Sequence, residues 1–234
     1  GVLETARIML RSHGGGQVML SDSQHAFLPM LHHWTPQSCP EQSPHHTLAE
    51  MFVEIDNAQV SSRSIEMLAN LGHQRIGLIN GKLHHAYASD RLRGFQKAMA
   101  KRGLNADQIR NDAVVESHGY IGALEMLAEP APPTAFICAT TVIAAGVLKA
   151  VTDRGLNVPT DVSVMAHDDA LPLTRAINFS PALTVTRAPL RDACEPLANL
   201  LLEHLNGTPA NKLQQEHEFE MIVRGSTGPA PKGK

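Results

Sequence analysis

An α/β fold built on parallel sheets is the class this sequence predicts. Three observations carry it. Short apolar runs alternate with helical patterns from residue 51 onward. The runs at 75–79, 135–138 and 162–166 are nearly continuous in apolar residues, as strands covered on both faces require. Gly72, Gly103 and Gly155 each close a helical pattern and leave one helix between successive strands.

The elements follow in order. A short helix over 2–10 is broken by Gly14-Gly15-Gly16. A short strand is placed at 18–20 and a helical turn at 26–31, and Pro36, Pro40 and Pro44 then punctuate a polar loop. Residues 52–55 alternate as a half-buried strand, ended by Asp56-Asn57. A helix over 61–71 follows, with Ile65, Leu68 and Leu71 at helical spacing. The strand at 75–79 is closed by the turn pair Asn80-Gly81. Ser89 or Asp90 caps a helix to about residue 102, with Leu92, Phe95 and Met99 on one face. A weak strand at 113–115, a helix at 120–127 and a buried strand at 135–138 come next. Thr141 caps a helix through 153, and 162–166 is the next strand. Residues 183–185 are extended, 190–205 form a strong helix, 219–223 alternate as a last strand, and 226–234 read as a frayed tail. In such sheets a ligand lies outside the carboxyl ends of the strands, where strand order reverses. That rule singles out residues 84–91, 139–142 and 167–170, with Arg187.

Composition narrows the function classes. The 234 residues are 43% hydrophobic and 18% charged, with a net charge of −3, an ordinary globular balance. Such a balance gives no general field for gripping nucleic acid or an anionic membrane. Cys39, Cys138 and Cys194 are far apart with no CxxC, so neither a disulfide framework nor a structural zinc site is expected. No signal peptide and no membrane-length apolar run is read, which gives a cytoplasmic localisation. The pairs His32-His33, His45-His46 and His84-His85 are sequence neighbours whose side chains point different ways, so no metal site is expected. Gly14-Gly15-Gly16 lacks the spacing of a phosphate loop, and no nucleophile motif is present. No catalytic residues and no cofactor are assigned.

The segments Leu71-Gly72-His73-Gln74-Arg75-Ile76-Gly77-Leu78-Ile79-Asn80-Gly81 and Ser89-Asp90-Arg91-Leu92-Arg93-Gly94-Phe95 come in a particular order. After them stand Pro133-Thr134-Ala135-Phe136-Ile137-Cys138, Val158-Pro159-Thr160-Asp161-Val162-Ser163-Val164, His167-Asp168-Asp169, Pro181-Ala182-Leu183-Thr184 and Val223-Arg224-Gly225-Ser226-Thr227. Each is weak alone, but the ordered set resembles the effector-binding region of the LacI/GalR family of bacterial transcription regulators. The resemblance covers about residues 51–229. It implies a two-lobe fold like that of periplasmic sugar-binding proteins, with a small ligand enclosed between lobes and three crossings of the chain. The first lobe is assigned to 1–71 and 187–211, the second to 72–186 and 212–228, and 229–234 to a tail. The resemblance also implies a homodimer, and allosteric control of operator DNA through a helix-turn-helix headpiece that is not found in this sequence. Residues 1–50 do not follow the family's alternation, so the first lobe reads as incomplete. The loop between Val115 and Gly119 is several residues short of the family's, which often carries a pocket aromatic.

Five residues are the effector-binding candidates: Arg91, Asp168, Thr140, Tyr87 and His85. Arg91 matches the family's effector-contacting arginine, three before Gly94, and its fork of donors suits adjacent hydroxyls or a carboxylate. Its bland alternative is a surface arginine near a helix start. Asp168 matches the family's acid and can accept two hydroxyl donors; otherwise it is a turn acid. Thr140 either meets a sugar hydroxyl or caps the next helix. Tyr87 and His85 offer rings to a sugar face, with Tyr87 favoured over an exposed His85. Arg187 reads as a hinge or interface residue, and Asp169 as structural. The leading function is a non-enzymatic sensor of a small polyhydroxylated effector. Its rivals are a sugar-binding protein of a transport system, which shares the fold, and an enzyme using the Asp168 region.

Overall fold

The computed structural model describes residues 52–168, 170 and 174–232. The readings made for residues 1–50 and for Asp169 lie outside the described residues. The chain divides into two compact units, Gly1–Ile55 with Leu190–His217 and Asp56–Pro189 with Glu218–Lys234.

The larger unit is built on a six-stranded sheet. Its strands are β2 (Ile76–Asn80), β3 (Ile109–Asn111), β4 (Ala135–Cys138), β5 (Ser163–Asp168), β6 (Thr184–Arg187) and β8 (Glu220–Ile222). Their order is β3-β2-β4-β5-β6-β8. All pairs are parallel except β6 with β8, where Thr186 faces Met221. The chain runs from β2 outward to β3 and then returns to the other side of β2 with β4, so the order reverses between β2 and β4.

Helices cover both faces. On one face α1 (Asn57–Asn70) and α2 (Ala86–Lys101) bury Ile65, Leu68, Phe95 and Met99 against Leu78, Ile137 and Met165. On the other, α3 (Glu116–Leu127) and α4 (Thr141–Asp153) bury Met126, Ile143 and Val147 against Ile79, Phe136 and Val164. Successive residues of β4 alternate between the two cores, as the period of a strand dictates. Burying each Leu, Ile, Phe or Met side chain fully is worth about 1.5–3 kcal/mol.

Helix starts are where the structure departs most from the sequence pattern. Helix α1 begins at Asn57, because Asp56 caps it by accepting from Gln59 N–H at 2.8 Å. Helix α2 begins at Ala86, ahead of the expected caps Ser89 and Asp90, with no side-chain cap on its first turn. Residues 113–115 do not form a strand: the ladder beside β2 is made by Ile109–Asn111, which pairs Leu78 with Ile109 and Asn80 with Asn111. That strand is short and polar at its end, so it carries no alternation to read. Residues 226–230 are not frayed. Ser226 is buried, receives Thr184 N–H at 2.8 Å and donates to the Val164 carbonyl at 2.6 Å. His73 Nε2 lies 3.1 Å from the Gly228 carbonyl and 3.1 Å from Ser163 Oγ, and Nδ1 lies 2.9 Å from Thr134 Oγ1. Burial lowers the His73 pKa, opposed in part by the Gly228 bond. Ala230 N–H closes onto the Leu71 carbonyl at 2.8 Å.

In the smaller unit β1 (Phe52–Glu54) pairs in parallel with β7 (Gln214–Glu216). A 3-10 turn, Leu190–Ala193, leads into α5 (Cys194–Leu205), which packs Leu200 and Leu201 with Val53 and Leu213. Pro196 sits in the first turn of α5, where a missing N–H costs nothing. Strand β7 is exposed throughout and was not anticipated.

The unit boundaries differ from the expected lobes. They fall after Ile55, Pro189 and His217 rather than after residues 71, 186 and 211. At the first boundary the physical reason is α1, whose Ile65 and Leu68 share one core with Ile76 and Phe95 and so bind it to the larger unit.

Candidate functional site

The five candidate residues stand along the carboxyl edge of the larger sheet. His85, Tyr87 and Arg91 follow β2, Thr140 follows β4, and Asp168 ends β5. These three strands are neighbours, and the reversal of strand order falls between the first two. That is the crevice position at which open parallel sheets bind ligands.

Arg91 is a buried arginine, 2% exposed, which decides against the surface reading. Its Nε donates to Asn57 Oδ1 at 2.9 Å and its Nη1 to the Ala139 carbonyl at 2.6 Å. Its guanidinium carbon lies 5.2 Å from the centroid of the Tyr87 ring, within cation–π range. One side chain thus ties α1, α2 and the β4–α4 junction together across the reversal point. Burying a guanidinium is expensive unless its donors are met, and here two separate elements supply oxygen.

Tyr87 is also buried, and its ring packs on Gly81, where any Cβ would strike the phenol oxygen. His85 is half-buried and stacks on Tyr87 with ring centroids 5.9 Å apart and planes at 17°. His84, exposed, lies against His85 at 4.1 Å. A ladder of rings therefore runs from solvent to Arg91. Asn80, fully buried at the end of β2, steadies this region by donating from Nδ2 to the Ala88 carbonyl at 2.8 Å and to Asn111 Oδ1 at 3.2 Å.

Asp168 and Thr140 take structural bonds. Asp168 is buried, and its Oδ1 accepts Ala170 N–H at 2.8 Å while Oδ2 accepts Ala176 N–H at 3.3 Å. It shapes the turn in which Ala170 takes a positive φ of 58°. Thr140 is the N-cap of α4, accepting Ile143 N–H at 3.3 Å. Each carboxylate or hydroxyl oxygen keeps further lone-pair capacity. Arg187 stands opposite Asp168 in the β5–β6 ladder and lies 3.8 Å from Glu220.

Two residues that sequence reasoning passed over belong to this edge. Asn57 was read as a strand terminator, and its role appears only once α1 folds back onto α2. His167, buried on β5, hydrogen-bonds through Nδ1 to Thr186 Oγ1 at 2.9 Å. A cavity of about 10 Å³ lies among Arg91, His167, Ser61, Cys138 and Thr186. It has room for roughly one water molecule. Burial pushes the Cys138 thiol well above the ordinary range, which disfavours the thiolate, and the side chain packs in the core beside Ile79 and Phe136. Among the described residues no cluster of His, Cys, Asp or Glu can hold a metal ion, and no helix is long and apolar enough to cross a membrane.

A doubly covered parallel sheet with polar side chains gathered at its reversal point defines a ligand-binding α/β domain. The profile of the periplasmic binding protein-like domain matches residues 65–227. The chain belongs to that family, within its LacI/GalR branch of transcriptional regulators. It is 41% identical over 182 residues to the HTH-type transcriptional regulator AglR of Rhizobium meliloti (strain 1021), covering 77% of this chain and 51% of that one. A LacI transcriptional regulator from a Rhodococcus species superposes with a TM-score of 0.69 at 27% identity, over 76% of this chain and 65% of the other. A dimeric Lac repressor with an 11-residue C-terminal deletion does so with a TM-score of 0.70 at 26% identity, over 77% and 64%. The chain spans about half the length of the curated relatives it matches.

Proposed function

We propose that this chain senses a small sugar-like effector for a LacI/GalR-type regulator and controls operator binding allosterically, without catalysis. The observation that carries the reading is Arg91. A buried guanidinium at the reversal point of a parallel sheet, matched to the family's arginine, is a recognition group for vicinal hydroxyls or a carboxylate. His85 and Tyr87 supply rings beside it, and Thr140 and Asp168 supply oxygens along the neighbouring strands. Asp168 serves its turn and an effector hydroxyl together, since each oxygen accepts more than one bond. The relatives' names favour a regulator over a transport protein. The buried, high-pKa thiol of Cys138 and the backbone bonds at Asp168 favour binding over catalysis. A homodimer is proposed from the likeness to the dimeric Lac repressor, and operator contact through a headpiece of the whole regulator.

A thermal-shift screen tests this. Glucose, galactose, maltose, sucrose, sorbitol and adenosine are run against the parent, Arg91→Lys and Asp168→Asn. A ligand that binds only the native state raises the melting temperature with concentration. The reading predicts a sugar whose shift at a given concentration is much smaller in Arg91→Lys, because lysine keeps the charge and loses the fork. A shift of equal size in all three proteins refutes the site.

A further inference from the structure

Asn57 lies where the chain leaves the smaller unit, one residue into α1 and two after Ile55. It is 2% exposed, and its Oδ1 accepts the Nε–H of Arg91 at 2.9 Å, 34 residues away in sequence. The bond is specific in geometry. Nε–H points sideways from the guanidinium, so a partner there fixes the rotation of the whole planar fork. Nη1 is set by the Ala139 carbonyl. These two bonds, from two elements, hold the guanidinium over the Tyr87 ring, with its carbon 5.2 Å from the ring centroid.

We infer that Asn57 is a positioning residue for effector recognition: it orients the Arg91 fork through Nε, and it places that fork in direct contact with the first turn of the helix at the crossover between units. This inference rests on the reading of Arg91 as the effector-binding arginine. Asn57 itself touches no effector. Its contribution to affinity passes through one hydrogen bond, because a preorganised fork does not lose orientation on binding. A charge-assisted bond of this kind is among the stronger side-chain contacts.

The experiment compares Asn57→Ala, Asn57→Asp, Arg91→Lys and the double variant Asn57→Ala/Arg91→Lys with the parent chain. Two readouts are taken: the nitrogen-15 NMR signal of the Arg91 Nε–H, and titration with the same six compounds. Aspartate keeps the acceptor oxygen, and an acid in the first turn of a helix is favourable. Asn57→Ala is expected to lose the slowly exchanging Nε–H signal and to weaken sugar binding about tenfold, the effect of one such bond. Asn57→Asp is expected to keep both. The double variant is expected to bind no more weakly than Arg91→Lys alone, since lysine has no Nε–H to orient. A destabilised helix without a positioning role would give additive losses and no rescue by aspartate. The inference is overturned if the Nε–H signal and the sugar affinity survive in Asn57→Ala, or if the losses add. If none of the compounds binds the parent, the sugar reading above falls, and the Nε–H signal alone decides whether Asn57 positions Arg91.

Discussion

Replacing Gly94 by alanine sets two known effects against each other with opposite signs. Gly94 sits in α2 one turn after Arg91, and a Cβ there would come 2.7 Å from Ala58 Cα and 2.8 Å from the Ala58 carbonyl carbon, besides striking the Ala58 oxygen. Carbon atoms in contact sit at about 3.5–4.0 Å, so α1 must retreat by about 1 Å. These are backbone atoms of a helix, and no rotamer change can relieve them. The retreat strains the packing of Ile65 and Leu68 and the Asn57–Arg91 bond next to Ala58. Overpacking of this sort costs about 3 kcal/mol. Helix propensity works the other way, favouring alanine by about 1 kcal/mol. The net is a loss of about 2 kcal/mol, a fall of about 1 M in the urea midpoint for an m-value of about 2 kcal/mol per M. Gly122 in α3 is the matched control. A Cβ there would meet only Arg110 Cγ at 3.4 Å and Arg110 Cβ and Ile79 Cδ1 at 3.5 Å, ordinary contacts. Gly122→Ala should therefore raise the midpoint by up to about 0.5 M through propensity alone. Urea unfolding followed by far-ultraviolet circular dichroism reads both. Equal midpoint changes in the two variants, or a rise in Gly94→Ala, would refute the close approach of α1 and α2.

Two other groups make separate predictions. His73 has a folded pKa below its ordinary 6.5, chiefly through burial, so the unfolded chain takes up the proton first. Its contribution to stability is complete above about pH 6.5, is lost as the pH falls below that value, and levels off below the folded pKa. Urea midpoints at about pH 7.5 and 5.5 should fall further in the parent than in His73→Gln, and equal falls would contradict the burial of a neutral ring. Cys138, fully buried with a raised pKa, should stay unmodified when native protein is treated with iodoacetamide, while half-buried Cys194 reacts. Peptide mass spectrometry checks the order, and early labelling of Cys138 would show that the core around β4 opens.

The sheet was legible because its strands are buried on both faces. The runs around Leu78, Phe136 and Val164 are nearly continuous in apolar residues because both faces are covered, and the Gly-closed helical patterns between them point to a parallel sheet. Strands β3 and β7 were not legible: Ile109–Asn111 and Gln214–Glu216 are held by backbone ladders at exposed edges and show no hydrophobic period. The start of α2 at Ala86 was missed because no side chain caps it. Among the candidate residues, the position of Arg91 could be read from its spacing to Gly94, but not its burial. That depends on Asn57 and Ala139, which reach it from 34 and 48 residues away. The capping role of Thr140 was foreseeable from residue type. The two backbone bonds of Asp168 were foreseeable as a class, and their partners were not.

The most direct test of the effector site is amide chemical-shift mapping. Isotopically labelled protein is titrated with the sugar that raises the melting temperature, beside Arg91→Lys. The account predicts saturable shifts concentrated at residues 80–91, 139–141 and 167–170, at the carboxyl ends of β2, β4 and β5, and a much weaker affinity in Arg91→Lys. Shifts confined to other parts of the chain, or an Arg91→Lys variant that binds with the parent's affinity, would contradict it.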